Sequence, residues 1–309
     1  MMRATLLRLS QSSIAREAFT HYKFMQRASR RFVAGETLED ALHATQELNR
    51  NGIIATLDHL GENVASESEA RAAQIEYFAI LDQIEKSKVQ SNASLKLTQM
   101  GMDVGVETCY AIIQAIVERA KRYNNFVRVD MESSAYTDRT LQIYQRLRDE
   151  GFANVGIVIQ SYLYRSANDI DRLIERGANV RLCKGAYQEP ASVAFPQKND
   201  VDANYCKLVE KMLSEKAQQK GAYPALATHD EAIIQWMKQF ARERRIDSNK
   251  FEFQMLYGIR RDLQQKLVQE GYRVRVYVSY GTHWYPYFMR RLAERPANLF
   301  FLIKNFIRG

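Results

Sequence analysis

The chain has 309 residues, 46% apolar and 26% charged, a balance that supports one large folded domain or two ordinary ones. Its net charge is +8, yet the basic residues are scattered with no long Lys/Arg run and no nucleic-acid motif, so nucleic acid is not the expected partner. Three cysteines at unpatterned spacings exclude a disulfide scaffold and a Cys-type zinc module and fit a reducing compartment. The longest apolar runs, such as Val155–Ile159 and Leu299–Ile303, fall far short of the ~20 residues a spanning helix needs.

The first 31 residues are Arg-rich with Glu17 as their only acid, a superficial likeness to a targeting segment. Thr37-Leu38-Glu39-Asp40 reads as a capping box, and Leu38, Ala41, Leu42, Thr45 and Leu48 follow at helical spacing until Asn51-Gly52. The apolar run Ile53–Leu57 is too short for a helix and predicts a strand. A helix over Ser66–Lys88, a strand over Ser94–Leu97 and a helix over Val106–Arg122 follow. Further strands are predicted at Phe126–Met131, Val155–Gln160, Val180–Cys183, Ala225–Thr228, Phe251–Leu256 and Val274–Val278. Helical segments lie at Asp138–Glu150, Asp169–Arg176, Ala203–Gln218, Glu231–Arg242 and Arg261–Glu270. About eight β-α units in roughly 250 residues predict an α/β chain of the (β/α)8 barrel class. A doubly wound sheet fits less well, because there is no G-x-G-x-x-G and no P-loop. With no linker-like stretch, the chain divides into an N-terminal helical extension, 1–51, and a barrel, 52–309.

Chemistry in such barrels collects at the C-terminal strand ends, and here those ends are polar: Lys96; Asp130-Met131-Glu132; Gln160-Ser161-Tyr162; Arg181 with Lys184-Gly185-Ala186-Tyr187; Thr228-His229-Asp230; Gln254; and Tyr277. Lys184-Gly185-Ala186 has the chemistry of a place where backbone amides approach an anion, though a plain strand-to-loop turn would read the same. Thr228-His229-Asp230 has no second His or Cys at ligand spacing, so no metal is expected. Ser133-Ser134 follows an acidic pair without a nucleophile-elbow pattern. Arg290-Arg291 follows an aromatic run and is read as the start of the last helix. Two cations there oppose the helix dipole, which calls for an anion nearby, and Glu294 is one turn away.

Taken in series, these motifs resemble a family. Ser94-Leu95-Lys96-Leu97-Thr98-Gln99, Val129-Asp130-Met131-Glu132, Gly156 to Tyr162, Val180 to Tyr187, Ala227-Thr228-His229, Phe251 to Gly258 and Tyr277 to Arg291 occur in the order seen in proline dehydrogenases, and the chain is similar to the short, monofunctional bacterial form. The resemblance runs from about Arg31 to the C-terminus. It implies a distorted (β/α)8 barrel that uses FAD to oxidise L-proline to Δ1-pyrroline-5-carboxylate, the first step of proline catabolism to glutamate, with electrons passed to a membrane quinone. It implies that Lys96, Arg290 and Arg291 hold the proline carboxylate and that Tyr187, Leu256, Tyr277 and Glu294 complete the substrate pocket with Asp130. The flavin side carries over to Met131, Gln160, Arg181, Lys184, Gly185, Ala186, Thr228 and His229, with Arg181 near the flavin N5. Asp130 and Arg181 are the expected catalytic residues, Asp130 either as a base or as the group orienting Arg291 and Lys96. The stretch between Gly281 and Arg290 is shorter and more aromatic than in the bifunctional relatives. The basic N-terminus is read as part of the mature protein, and a separate pyrroline-5-carboxylate dehydrogenase is a possible partner.

This chemistry suits the residues. Hydride transfer from a secondary amine needs neither nucleophile nor metal, only an oriented substrate beside an acceptor. Two other readings use the same residues: a flavin-free barrel enzyme gripping a phosphorylated molecule through Lys184-Gly185 and Arg290-Arg291, and a non-enzymatic basic protein on nucleic acid or membrane. The net charge of +8 without a spanning segment predicts a cytoplasmic protein that visits the inner face of an anionic membrane.

Overall fold

The structure, a computed structural model, describes residues 30–294. Eight parallel strands close into a barrel in sequence order: β1 Ile54–His59, β2 Ser91–Leu95, β3 Val127–Val129, β4 Val155–Gln160, β5 Asn179–Cys183, β6 Tyr223–Ala227, β7 Glu252–Leu256 and β8 Val274–Tyr280, with β8 returning to pair with β1. The helices are α1 Leu38–Arg50, α2 Glu67–Ser87, α3 Val106–Arg122, α4 Thr137–Asp149, α5 Ser166–Glu175, α6 Lys198–Met212, α7 Glu215–Gln219, α8 Glu231–Glu243, α9 Arg261–Gln269 and α10 Trp284–Glu294. The Thr37 capping box forms, its hydroxyl accepting from the Asp40 N–H while the Asp40 carboxylate accepts from the Thr37 N–H, and the Ser66 hydroxyl caps α2 by accepting from the Glu69 N–H. Helix α1 packs against β8 and β1.

Strand residues alternate between two environments. Ala55, Leu57, Ala93, Leu95, Val127, Val129, Ile157, Ile159, Val180, Leu182, Phe253, Met255, Val274, Val276 and Val278 are buried in the apolar core shared with the surrounding helices. The opposite parity carries Thr56, Asp58, Asn92, Ser94, Arg128, Arg181, Glu252, Gln254, Arg275 and Tyr277, whose side chains make polar contacts in the barrel interior. The Thr56 hydroxyl donates to Asn92 at 2.5 Å, and Arg128 reaches over β4 to donate to the carbonyl and side-chain oxygens of Asn179 at 2.7 and 2.6 Å. Gly156 makes that crossing possible, because a Cβ there would lie 2.6 Å from the Arg128 guanidinium. A charged axis of this kind is tolerated because most of its buried polar atoms find partners.

Among the boundaries that differ from expectation, four stand out. Strand β2 starts three residues early and ends before Lys96, where the backbone turns and the Met100 N–H donates to the Lys96 carbonyl. Its polar first half pairs inside the barrel, so a search for an apolar run misses it. Strand β3 is limited to Val127–Val129. The segment expected as one helix over Ala203–Gln218 starts at Lys198 and is broken at Leu213-Ser214, where Ser214 caps α7. Arg290 and Arg291 do not start the last helix: α10 begins at Trp284, so the aromatic run is itself helical and the arginines lie about two turns in. The dipole argument fails, yet an anion is present, as described next. Residues 1–29, with the Arg-rich segment, lie outside the described residues, as does the side chain of Glu294.

Candidate active site

The β1, β2, β3 and β8 side of the barrel mouth is built from closed charge pairs. Lys96, 8% exposed, donates to Asp58 Oδ1 at 2.9 Å, and Asp58 is fully buried with the Ser279 hydroxyl donating to its other oxygen at 3.3 Å. Burial alone would push the Lys96 ammonium down; Asp58 and Asp130 outweigh it, and the net shift is upward, so Lys96 is a permanent cation. Asp130 lies 4.0 Å from Lys96. Its Oδ1 accepts from Arg181 Nη1 at 2.7 Å and from the Ser94 hydroxyl at 2.7 Å, and its Oδ2 accepts from the Tyr277 hydroxyl at 2.7 Å. Asp58 makes the short bond to Lys96, with Asp130 as its second carboxylate, and Asp130 bonds directly to the guanidinium of Arg181. Burial, then the Asp130 charge, pushes the Tyr277 hydroxyl well up, keeping it a neutral donor.

Helix α10 adds the other cations. Arg290 Nη1 donates to Glu62 Oε1 at 2.8 Å, so the β1–α2 loop supplies an anion of the kind the sequence calls for. Burial pushes the Glu62 carboxyl up, but Arg290 outweighs it and the net shift is downward. Arg291 is buried with its guanidinium 5.0 Å from the centre of the Tyr287 ring. Tyr187 sits in the field of this group: burial first, then Glu132, pushes its hydroxyl up, with Arg290, Glu62 and Lys96 also acting on it. Glu132 accepts from both the N–H and the hydroxyl of Thr98, at 3.0 and 2.6 Å, and the Thr98 carbonyl accepts from Val64 N–H at 3.1 Å, which ties down the loop that carries Glu62. Leu256, at the end of β7, packs partly buried against the small apolar cluster that includes the aromatic residues of α10.

The β4 to β7 side is different in kind. Gln160 donates through Nε2 to the Met131 carbonyl at 3.3 Å, while its Oε1 is buried with no partner among the described residues. Arg181 uses Nε on Gln254 Oε1 at 2.6 Å and Nη1 on Asp130, while its Nη2 is likewise buried without a partner. Gly185 has φ +111°, and a Cβ there would lie 2.4 Å from the Tyr162 ring, so only glycine fits this turn. Ala186 follows it, half-buried. Thr228 accepts from the Asp230 N–H at 3.1 Å, and His229 Nε2 accepts from the Leu256 N–H at 2.9 Å, which ties the β6 and β7 ends together. Lys184, expected to offer charge to an anion, is already held at 2.5 Å by Asp202 and at 2.8 Å by Asp230.

The mouth thus brings together Arg181 on β5, Tyr277 on β8, Arg290 on α10, and Lys96, Asp130 and Tyr187 from the loops that follow β2, β3 and β5. Asp58, Glu62 and Ser94 belong with them and were missed as site residues, while Gln254, read as a polar strand end, was given no role. Asp58 shares the parity of Thr56 and lies one residue beyond the predicted strand, so continuing the alternation would have found it. Glu62 carries no local signal. What the arrangement can do is hold a carboxylate on fixed cations beside a buried guanidinium edge with unused donors.

A family profile described as proline dehydrogenase matches residues 41–304. Proline dehydrogenase 1 of Bacillus subtilis subsp. natto is 44% identical over 308 residues, covering 100% of both chains. Proline dehydrogenase of Deinococcus radiodurans is 42% identical over 289 residues, covering 92% of each. Among solved structures, proline utilization A from Bdellovibrio bacteriovorus, inactivated by N-propargylglycine, superposes with a TM-score of 0.81 at 26% identity over 91% of this chain, which spans 34% of that longer protein. A match across most of the sequence, full-length relatives above 40% identity and the same closed barrel agree, and the chain belongs to the proline dehydrogenase family.

Proposed function

We propose that the protein oxidises L-proline to Δ1-pyrroline-5-carboxylate with non-covalent FAD as the immediate acceptor and passes the electrons to a membrane quinone. The observation that carries the reading is the pairing, within one barrel mouth, of carboxylate-paired cations with a buried guanidinium whose Nη2 has no partner among the described residues. Two orphaned polar atoms, Arg181 Nη2 and Gln160 Oε1, and the turn at Gly185 that admits no side chain are the features expected where a polar ring system and its tail would lie, so the residues fit FAD. Met131, Gln160, Arg181, Lys184, Gly185, Ala186, Thr228 and His229 would hold it, and when bound it would supply the two-electron acceptor. Lys96, Arg290 and Arg291 would grip the substrate carboxylate, each cation steadied beforehand by its protein partner. Tyr187, Leu256, Tyr277 and Glu294 would shape the pocket around the ring. The reaction removes a hydride from the ring carbon and the proton from the amine nitrogen. Asp130 is committed to three donors and acts as an orienting group for Arg181 and Tyr277. Arg181 stabilises negative charge that develops on the acceptor side.

Among the described residues no helix is long and apolar enough to cross a membrane. With a net charge of +8, a peripheral visit to the anionic inner face supports the quinone step, and a separate pyrroline-5-carboxylate dehydrogenase would take the product.

Anaerobic addition of L-proline to the purified protein tests the reading: the visible flavin band should bleach, and acid should release the flavin into solution. A colourless protein, or a flavin that proline does not reduce, overturns it. Turnover with a soluble quinone analogue should exceed turnover with oxygen.

A further inference from the structure

Beneath Arg181 the barrel axis carries a single file of hydrogen bonds. Arg181 Nε donates to Gln254 Oε1 at 2.6 Å, Gln254 Nε2 donates to Glu252 Oε1 at 2.5 Å, and Glu252 accepts from Arg275 Nε at 2.8 Å, while Arg275 Nη1 donates to the Ala55 carbonyl at 2.7 Å. Gln254 and Glu252 are each 3% exposed. An amide can be turned over, and a turned Gln254 would aim its NH2 at the Arg181 N–H and its oxygen at the Glu252 carboxylate, two repulsive contacts in a dry interior. The Glu252 carboxylate, which accepts only, therefore decides which end of Gln254 faces upward, and the upward oxygen decides where the Arg181 guanidinium lies. We infer that Glu252 is a positioning residue for Arg181, acting through Gln254 from two layers below the mouth, and that Arg275 holds it to that task.

The consequence is geometric. With Nε and Nη1 committed to Gln254 and Asp130, Nη2 is left as the edge with free donors. The inference deepens the proposed function, since it matters to turnover only if Arg181 works at the acceptor side. Two opposing electrostatic effects separate it from a purely structural role. Removing a carboxylate near the site should by charge alone favour reduction and make the midpoint potential of bound flavin more positive. Losing the position of Arg181 withdraws a guanidinium from the reduced form and makes the potential more negative.

The test uses the protein as purified, in wild type, Glu252→Gln and Gln254→Leu. Hydrogen exchange at the Arg181 Nε–H, assigned by its loss in Arg181→Lys, reads the orientation directly and does not depend on flavin. Exchange should quicken about tenfold or more in both variants, the loss expected when a hydrogen bond to a charged group goes. The flavin potential should become more negative in both, and the turnover number should fall about tenfold. Unchanged exchange in Glu252→Gln, or a potential that turns more positive, overturns the inference. Quickened exchange in a protein that binds no flavin would uphold the role of Glu252 and sink the flavin reading instead. Should Glu252→Gln not fold, Glu252→Asp keeps the charge on Arg275 while drawing the carboxylate back from Gln254 by one methylene, and carries the same outcomes.

Discussion

The two sides of the barrel mouth handle charge in opposite ways. On the β1, β2, β3 and β8 side, Lys96 with Asp58 and Asp130 with Arg181 are nearly shut off from water, the side chains of the first pair being 10% and 0% exposed. On the β5 and β6 side, Lys184 with Asp202 and Asp230, and Lys198 with the same two aspartates, form an open cluster at the ends of α6 and α8, with Lys198 71% exposed. The closed pairs hold their geometry but leave a stranded charge if one member is lost; the open ones are screened and can rearrange. The fixed side is where a small anion must be aligned, and the open side is where a longer ligand could lie across the barrel's edge.

The sharpest way to break this comparison is to cut a closed pair. Asp58→Ala strands the Lys96 ammonium, and removing one partner of a buried pair typically costs about 3–5 kcal/mol. Denaturant titration should show a loss of that size, and a loss below about 1 kcal/mol would mean that water already reaches the pair.

Next comes binding. Arg291→Met should leave the fold and flavin content intact while raising the proline Michaelis constant on the order of ten- to a hundredfold, as for a charge-assisted bond worth about 1.5–3 kcal/mol. Arg291→Lys should recover only part of this, because an ammonium cannot reproduce a planar fork. Steady-state kinetics with near-wild-type constants for both would remove Arg291 from the clamp.

On the open side, Gly185→Ala combines a positive φ of +111° with a Cβ 2.4 Å from the Tyr162 ring. Strain of this kind costs of the order of 1–3 kcal/mol, and the purified variant should retain less flavin than wild type, read from the ratio of visible to protein absorbance.

The Glu62–Arg290 pair gives a pH signature. Glu62 has a folded pKa below its unfolded value, so its contribution is full above the unfolded carboxylate pKa and is lost as pH falls through the folded one. The Tm difference between wild type and Glu62→Gln should be constant near neutrality and shrink as the solution is acidified below the usual carboxylate range. A difference independent of pH would show that the ionised form of Glu62 is not what stabilises the fold.

The smallest effect is expected at Lys198→Met. Its pairs with Asp202 and Asp230 are largely open to water, and such pairs are worth at most about 1 kcal/mol. A Tm shift as large as that of Asp58→Ala would erase the distinction between the two sides.

Much of the fold was legible because the outward parity of the strands is apolar and the helices have clear ends. Thr37 and Ser66 announce their caps, and Val155–Gln160 and Val106–Arg122 coincide with the elements observed. The polar strand ends were legible too, but only as a set of types. Lys96, Asp130, Arg181 and Tyr277 could be named as residues that meet, whereas their partners could not. Asp58, Glu62 and Gln254 approach from 38, 228 and 73 residues away along the chain, and no local pattern encodes such a pairing.

The sequence by itself determined the eight-fold strand and helix alternation, the helix caps and the kinds of side chain available at the mouth, because these depend on periodicity and on local backbone chemistry. Only the tertiary structure decided which carboxylate holds which cation. Closing the barrel brings β8 against β1, which puts Ser279 and Asp58 in one register and places Tyr277 beside Asp130 across the interior. It also decided that Arg290 faces the β1–α2 loop and that Gln254 stands between Glu252 and Arg181. Buried charges are settled by whichever partner lies within about 3 Å once water is excluded, and that distance exists only after the strands have closed.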